Sequence, residues 1–121
     1  MINPDSPAAV VQRQLDAYNA HDLEALLATY AEDAQQFEHP GKLLASGKAT
    51  LRERLAARLA EPNLHAHLLQ RTVMGHLVID QEIVTRTFPE GPGSMSMVAI
   101  YEVRDGLIQS ASVSFGEKVL N

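Results

Sequence analysis

The chain has 121 residues, 45% of them hydrophobic, and 10 Lys and Arg against 15 Asp and Glu give a formal net charge of −5. That length implies one domain over residues 1–121, with a core that buries roughly two-thirds of the unfolded surface. The acidic balance, without a basic cluster, argues against a nucleic-acid partner. The lack of cysteine excludes disulfides, thiol catalysis and cysteine metal sites. No apolar run reaches the roughly 18 residues of a membrane span, so no membrane partner is expected and the expected location is the cytoplasm.

The first half reads as helical. Ser6 is placed to cap a helix that begins at Pro7, where a missing amide costs nothing. Pro7, Val11, Gln14, Leu15 and Tyr18 share one stripe at helical spacing, with Gln14 its polar member. Asn19-Ala20-His21 breaks this helix and Asp22 caps the next, whose buried stripe is Leu23, Leu26, Leu27 and Tyr30 and which Asp33 closes. A third helix is predicted from about Lys48 to Ala60 on Leu51, Leu55 and Leu59, stopped by Pro62. Between the last two, Phe37-Glu38-His39 reads as a short extended segment, because the residue before Pro40 is biased away from helix.

From Leu64 the period becomes two. Strands are predicted over about 64–74, 76–88, 94–104 and 107–116, separated by Gly75, by Pro89-Glu90-Gly91-Pro92-Gly93 and by Asp105-Gly106. Asp-Gly between alternating runs is a hairpin signal, and the short connections make an antiparallel meander. Met95, Met97, Ala99 and Tyr101 alternate onto one strand face, opposed by Ala111, Val113 and Phe115. These residues either line an apolar cavity or fill an ordinary core. Three helices followed by such a sheet predict an α+β fold with helices over one face.

The order Val10-Val11-Gln12-Arg13, Asn19-Ala20-His21-Asp22-Leu23, Tyr30-Ala31-Glu32-Asp33-Ala34, Glu38-His39-Pro40, Ser46-Gly47-Lys48 and Phe115-Gly116-Glu117-Lys118 resembles the nuclear transport factor 2-like superfamily. The resemblance covers nearly the whole chain and is to the branch of ketosteroid isomerases and SnoaL-like polyketide cyclases. It implies a cone-shaped roll, in which a curved, mainly antiparallel sheet is wrapped by three N-terminal helices around a pocket. It also implies a homodimer through the outer sheet face, an expectation to which Val98 and Ile100, opposite Met97 and Ala99, add apolar residues on both faces.

Ketosteroid isomerases use a carboxylate base and two oxyanion donors, a tyrosine and a protonated aspartate. Carried over by position, the tyrosine falls on Gln14, the protonated aspartate on or beside Ala99, and the base, just before a proline, on His39. All three depart from the pattern. Losing one oxyanion donor costs about 3–4 kcal/mol, so efficient steroid isomerisation is not expected. His39 has a reference pKa suited to a base near neutrality.

The resemblance implies a small-molecule pocket protein, an isomerase or cyclase acting by proton transfer on an apolar carbonyl compound without a cofactor. His39 is the expected base, Gln14 and Tyr101 its polar partners, and Tyr18, Tyr30, Phe37, Met97, Ala99, Val113 and Phe115 the pocket lining. The alternative is a noncatalytic ligand-binding or dimerisation module, since one scaffold hosts both. His65 and His67, two apart on one strand face, have chelating spacing that His39 or His76 would extend. Without a carboxylate at defined spacing, the expected reading is a solvated face or dimer surface and no metal. No Gly-x-Ser-x-Gly motif accompanies the serines, and Gly91-Pro92-Gly93 lacks the helix that a phosphate loop needs.

Overall fold

The computed structural model describes residues 3–121. Its elements are α1 (Pro7–Asn19), α2 (Leu23–Leu27), β1 (Tyr30–Glu38), β2 (Lys42–Ser46), α3 (Lys48–Leu59), β3 (His65–Met74), β4 (Leu77–Phe88), β5 (Gly91–Arg104) and β6 (Leu107–Leu120). The strands form one curved sheet in the order β2-β1-β6-β5-β4-β3. Every neighbouring pair is antiparallel except β1 with β6.

Local chemistry accounts for the helix starts. The Ser6 hydroxyl accepts from the Ala9 amide at 3.3 Å with Pro7 in the first turn, and Asp22 Oδ1 accepts from the Ala25 amide at 3.1 Å. Asp105 and Gly106 both have positive φ, 56° and 73°, as the tight β5–β6 hairpin requires. On the concave face, Met97 pairs with Phe115, Ala99 with Val113 and Tyr101 with Ala111, as the alternation predicts. α1 lays Val10, Val11 and Leu15 against this face, and α3 adds Leu51, Leu55 and Leu59.

Two expectations are corrected. The second helix is a single short stretch, and Tyr30, Ala31 and Asp33 belong to β1. The Thr29 hydroxyl turns back to the Leu26 carbonyl at 2.7 Å, while the Thr29 carbonyl accepts from the Ile108 amide at 2.8 Å, so the chain leaves the helix directly into the sheet. The segment 35–47 is correspondingly more ordered than one extended piece, because β1 pairs with β2 on one side and β6 on the other.

The start of the β3 edge is met by the last residue of α1 and the turn after it. Asn19 Nδ2 donates to the Ala66 carbonyl at 2.9 Å, and its Oδ1 accepts from the Ala66 amide at 2.8 Å. His21 Nε2 meets the Leu64 carbonyl at 2.8 Å. The Asn19 amide thus acts as one residue of an extra strand and satisfies groups that an open edge leaves free. Asn19→Ala is expected to strand both Ala66 groups and lower stability by about 1–3 kcal/mol in urea denaturation; an unchanged midpoint would show that this contact does not hold the edge.

Candidate functional site

β4 puts Val78, Asp80, Glu82 and Val84 on the inner face, and all four are buried. Across the ladder, Asp80 stands opposite Ala99 and Glu82 opposite Met97. β3 reaches the same region through a register irregularity between Leu68 and Gln70. Leu68 pairs with Glu82 and Arg71 with Asp80, so the extra residue brings Arg71 onto the inward parity.

Arg71 grips Asp80 with two hydrogen bonds, Nε to Oδ1 at 2.7 Å and Nη2 to Oδ2 at 2.9 Å. Its Nη1 donates to Gln12 Oε1 at 2.8 Å, and Gln12 Nε2 donates to Asp16 Oδ1 at 2.9 Å. The network ties α1 to β3 and β4. Asp80 is fully buried, and this guanidinium is what pairs its carboxylate there.

Among the described residues Glu82 has no such partner. It is 2% exposed, and burial, reinforced by the Asp80 charge and opposed by Arg71, raises its pKa from 4.5 to about 7. Three phenols share its electrostatic neighbourhood. Burial pushes Tyr18 up to about 12, with the Glu82 charge raising it further and Arg58 opposing. Tyr30 and Tyr101, both buried, rise for the same leading reason; Gln14 at the Tyr30 hydroxyl pulls the other way. All three remain neutral hydrogen-bond donors over any ordinary working pH. Gln14 Oε1 is buried with no hydrogen-bond partner among the described residues.

Between α1, α3 and strands β1, β5 and β6, a cavity of about 70 Å³ is lined by Tyr18, Gln36, Met97, Val113 and Phe115, with Arg58 beside them. A second, of about 20 Å³, shares Tyr18, Arg58, Met97 and Phe115. The interior is therefore mostly filled, and the free space near Tyr18 suits a small group.

The sequence-predicted residues divide accordingly. Gln14, Tyr18, Tyr30 and Tyr101 come together in the buried polar cluster, and Met97, Val113 and Phe115 line the cavity beside it. Ala99 is buried opposite Asp80. His39 is exposed after β1, its amide bonded to the Val113 carbonyl at 2.8 Å, and it is not among the residues lining the cavity at Tyr18. Phe37 pairs with Ser112, one residue off the parity of Gln36 and Val113; strand alternation puts it on the outer face, correcting its assignment to the pocket. His65 and His67 are exposed on β3, and no three metal-ligating side chains gather among the described residues. No helix among those residues is long and apolar enough to cross a membrane.

Reasoning from the sequence alone misses Asp80, Glu82 and Arg71. Their signal is the pair of acids inside the apolar alternation Leu77-Val78-Ile79-Asp80-Gln81-Glu82-Ile83-Val84. Two carboxylates on one strand face, with apolar neighbours on both sides, are too costly to bury without a purpose or a partner.

The curved sheet, the three helices over its concave face and the polar cluster at its centre define a nuclear transport factor 2-like cone roll. The profile of the SnoaL-like domain matches residues 11–111, and the chain belongs to that family. Among solved structures it is similar to an uncharacterised cystatin-fold protein from Novosphingobium aromaticivorans, with a TM-score of 0.82 and 26% identity over 89% of this chain and 97% of that one. A putative ketosteroid isomerase from Kribbella flavida superposes with a TM-score of 0.77 at 18% identity, covering 95% and 81%. An epoxide hydrolase of the LEH-like type from M. tuberculosis gives 0.78 at 15% identity, covering 90% and 81%.

Two measurements follow from the buried charges. Arg71→Met is expected to cost about 3–5 kcal/mol by stranding Asp80, and Arg71→Met with Asp80→Leu to recover most of it; equal losses in single and double variants would show that the pair is not the cause. For Glu82, folding raises the pKa, so its stability contribution is whole below pH 4.5 and lost as pH rises through about 7. The full shift corresponds to about 3 kcal/mol. Glu82→Gln is therefore expected to match wild type near pH 4 and exceed it by up to about that amount at pH 8 in denaturant titrations; a gap independent of pH would contradict a buried, titrating Glu82.

Proposed function

We propose that the protein is a cofactor-free enzyme that moves a proton on a small, mainly apolar carbonyl compound, with Glu82 as the base. The observation that carries this reading is a buried carboxyl without a salt-bridge partner among the described residues, brought to about 7 beside neutral phenols. A group with its pKa near the working pH both takes and returns protons efficiently. Glu82 removes a proton from the carbon next to the carbonyl, the electron pair of that C–H bond forms a C=C bond, and the π pair of the C=O bond moves to the oxygen. A phenol from the Tyr18, Tyr30 and Tyr101 cluster donates a hydrogen bond to that oxygen, and Gln14 orients the cluster. The oxyanion pair then re-forms the C=O bond as protonated Glu82 returns its proton, to the γ-carbon of the dienolate where the substrate is an unsaturated ketone and to the same carbon otherwise, and the base is restored.

The family likeness supports the class of chemistry, since relatives on this scaffold include a putative ketosteroid isomerase. The particular base differs from the residue that the family's order points to: His39 is exposed, whereas Glu82 is buried within the electrostatic reach of the three phenols, and neither lines the cavity at Tyr18. The test is exchange of α-protons for deuterium, followed by NMR on a panel of enolisable ketones that includes an unsaturated ketosteroid. Glu82→Gln is expected to lower the rate at least about 100-fold and His39→Ala to leave it unchanged, with the wild-type rate rising with pH towards a plateau above about 7. Wild-type exchange rates in Glu82→Gln would end this reading, and a panel without exchange would favour a noncatalytic pocket.

A further inference from the structure

The mouth of the cone carries cationic groups, against the sign of the whole chain. Arg54 and Arg58 lie one turn apart on α3, and Arg86 reaches the same place from β4. With Glu53, Ala57 and Glu61 they line a surface groove of about 440 Å³. Arg58 lines this groove and also both cavities at Tyr18, so its guanidinium stands where the groove meets the interior.

The local charges are unevenly paired. Glu61 is committed to Arg86, which donates from Nη2 at 3.1 Å and from Nε at 3.4 Å, and to the Thr87 amide at 3.1 Å. It stands 3.8 Å from Arg58 Nε, beyond hydrogen-bond range. Arg54 Nε donates to the neutral Gln36 Oε1 at 3.1 Å, and Glu53 is exposed. The Arg58 side chain is 27% exposed, yet it makes no hydrogen bond among the described residues. Burial, then the nearby Arg86, presses its pKa down, so its positive charge is undercompensated. Like charges one turn apart on a helix are themselves unfavourable, and an anion between them relieves both costs.

We propose that the ligand of this protein is an organic acid whose carboxylate is received at the mouth by Arg58, with Arg54 and Arg86 beside it. The ligand's apolar part then lies towards Tyr18, Met97 and Phe115. A planar guanidinium whose hydrogen bonds are not taken up by its loosely paired acid matches a carboxylate with two parallel hydrogen bonds. A dianion is a poorer match, because Glu61 and Glu53 offset part of the positive charge around the groove. The ligand's direction rests on the proton-transfer reading of the interior; the charge recognition does not.

The experiment is calorimetric binding of 4-oxo-4-phenylbutanoate, an apolar ketone acid, against its methyl ester and inorganic phosphate. Wild-type protein is expected to bind the acid at least about tenfold more tightly than the ester. Arg58→Gln is expected to weaken acid binding about 10- to 100-fold and leave the ester unchanged, with Arg54→Gln giving a smaller loss in the same direction. Glu82→Gln is expected to keep the preference for the acid. Equal binding of acid and ester, no binding of the acid, an unchanged acid affinity in a folded Arg58→Gln, or phosphate binding as tight as the acid would each overturn the proposal. Because binding needs no turnover, normal proton exchange in Glu82→Gln with acid preference intact would remove only the base assignment.

Discussion

One guanidinium serves two buried carboxylates, and the interior is organised by the way it is divided. Asp80 receives both forks of Arg71, whereas Glu82, two residues along the same strand face, is left to burial and to the Asp80 charge. A symmetric sharing would hold both acids charged and remove any titrating group from the neutral range. The asymmetry has a backbone origin, because the register irregularity in β3 sets Arg71 opposite Asp80 and sets the apolar Leu68 opposite Glu82. Gln12 extends the same guanidinium to α1, so the pair that fixes the charges also fixes the helix over the sheet.

Much of the frame was legible in the sequence because its signals are local. Ser6 and Asp22 name their helices through single hydrogen bonds, Asp105-Gly106 names its hairpin through positive φ, and the alternation from Met95 to Tyr101 names the concave face. β1 was hidden for a physical reason: Tyr30 continues the spacing of Leu23, Leu26 and Leu27, and the switch to strand comes from the long-range bond between the Thr29 carbonyl and the Ile108 amide. The site was less legible still. On β4 the outward Ile79 and Ile83 are as apolar as the inward Val78 and Val84, so alternation alone does not say which way Asp80 and Glu82 point. The irregularity at Leu69 likewise has no glycine or proline to announce it, and Arg71 reads as one more exposed cation until the register is known.

The tyrosines and Gln14 give the buried acid its chemical meaning. A raised carboxyl alone is only a cost to folding. Here it lies in the electrostatic reach of three neutral phenols, in an interior where Gln14 Oε1 also lacks a donor. The cluster therefore holds acceptors in want of protons and donors in want of a developing negative charge. Water would satisfy both in an open pocket, but the free space beside Tyr18 is only about 70 Å³, enough for a few molecules at the roughly 30 Å³ each occupies in liquid. The same smallness keeps the local dielectric low, which strengthens each donor to an oxyanion.

Charge then separates by depth. The chain as a whole is acidic, so long-range attraction of anions is not its strategy. Its cations at the mouth act only at contact range, since screening in physiological salt limits exposed charges to about 8 Å. An acid held at Arg58 brings its negative charge no deeper than the rim, where guanidinium groups and solvent stabilise it. Its uncharged carbonyl end faces an interior where Asp80 is already paired with Arg71. Reversing that order would place a second anion beside Asp80 and drive the Glu82 pKa still higher, leaving it protonated and useless as a base. A cationic rim over the buried Glu82 is thus a self-consistent arrangement: the rim fixes the orientation that keeps the base free to accept a proton.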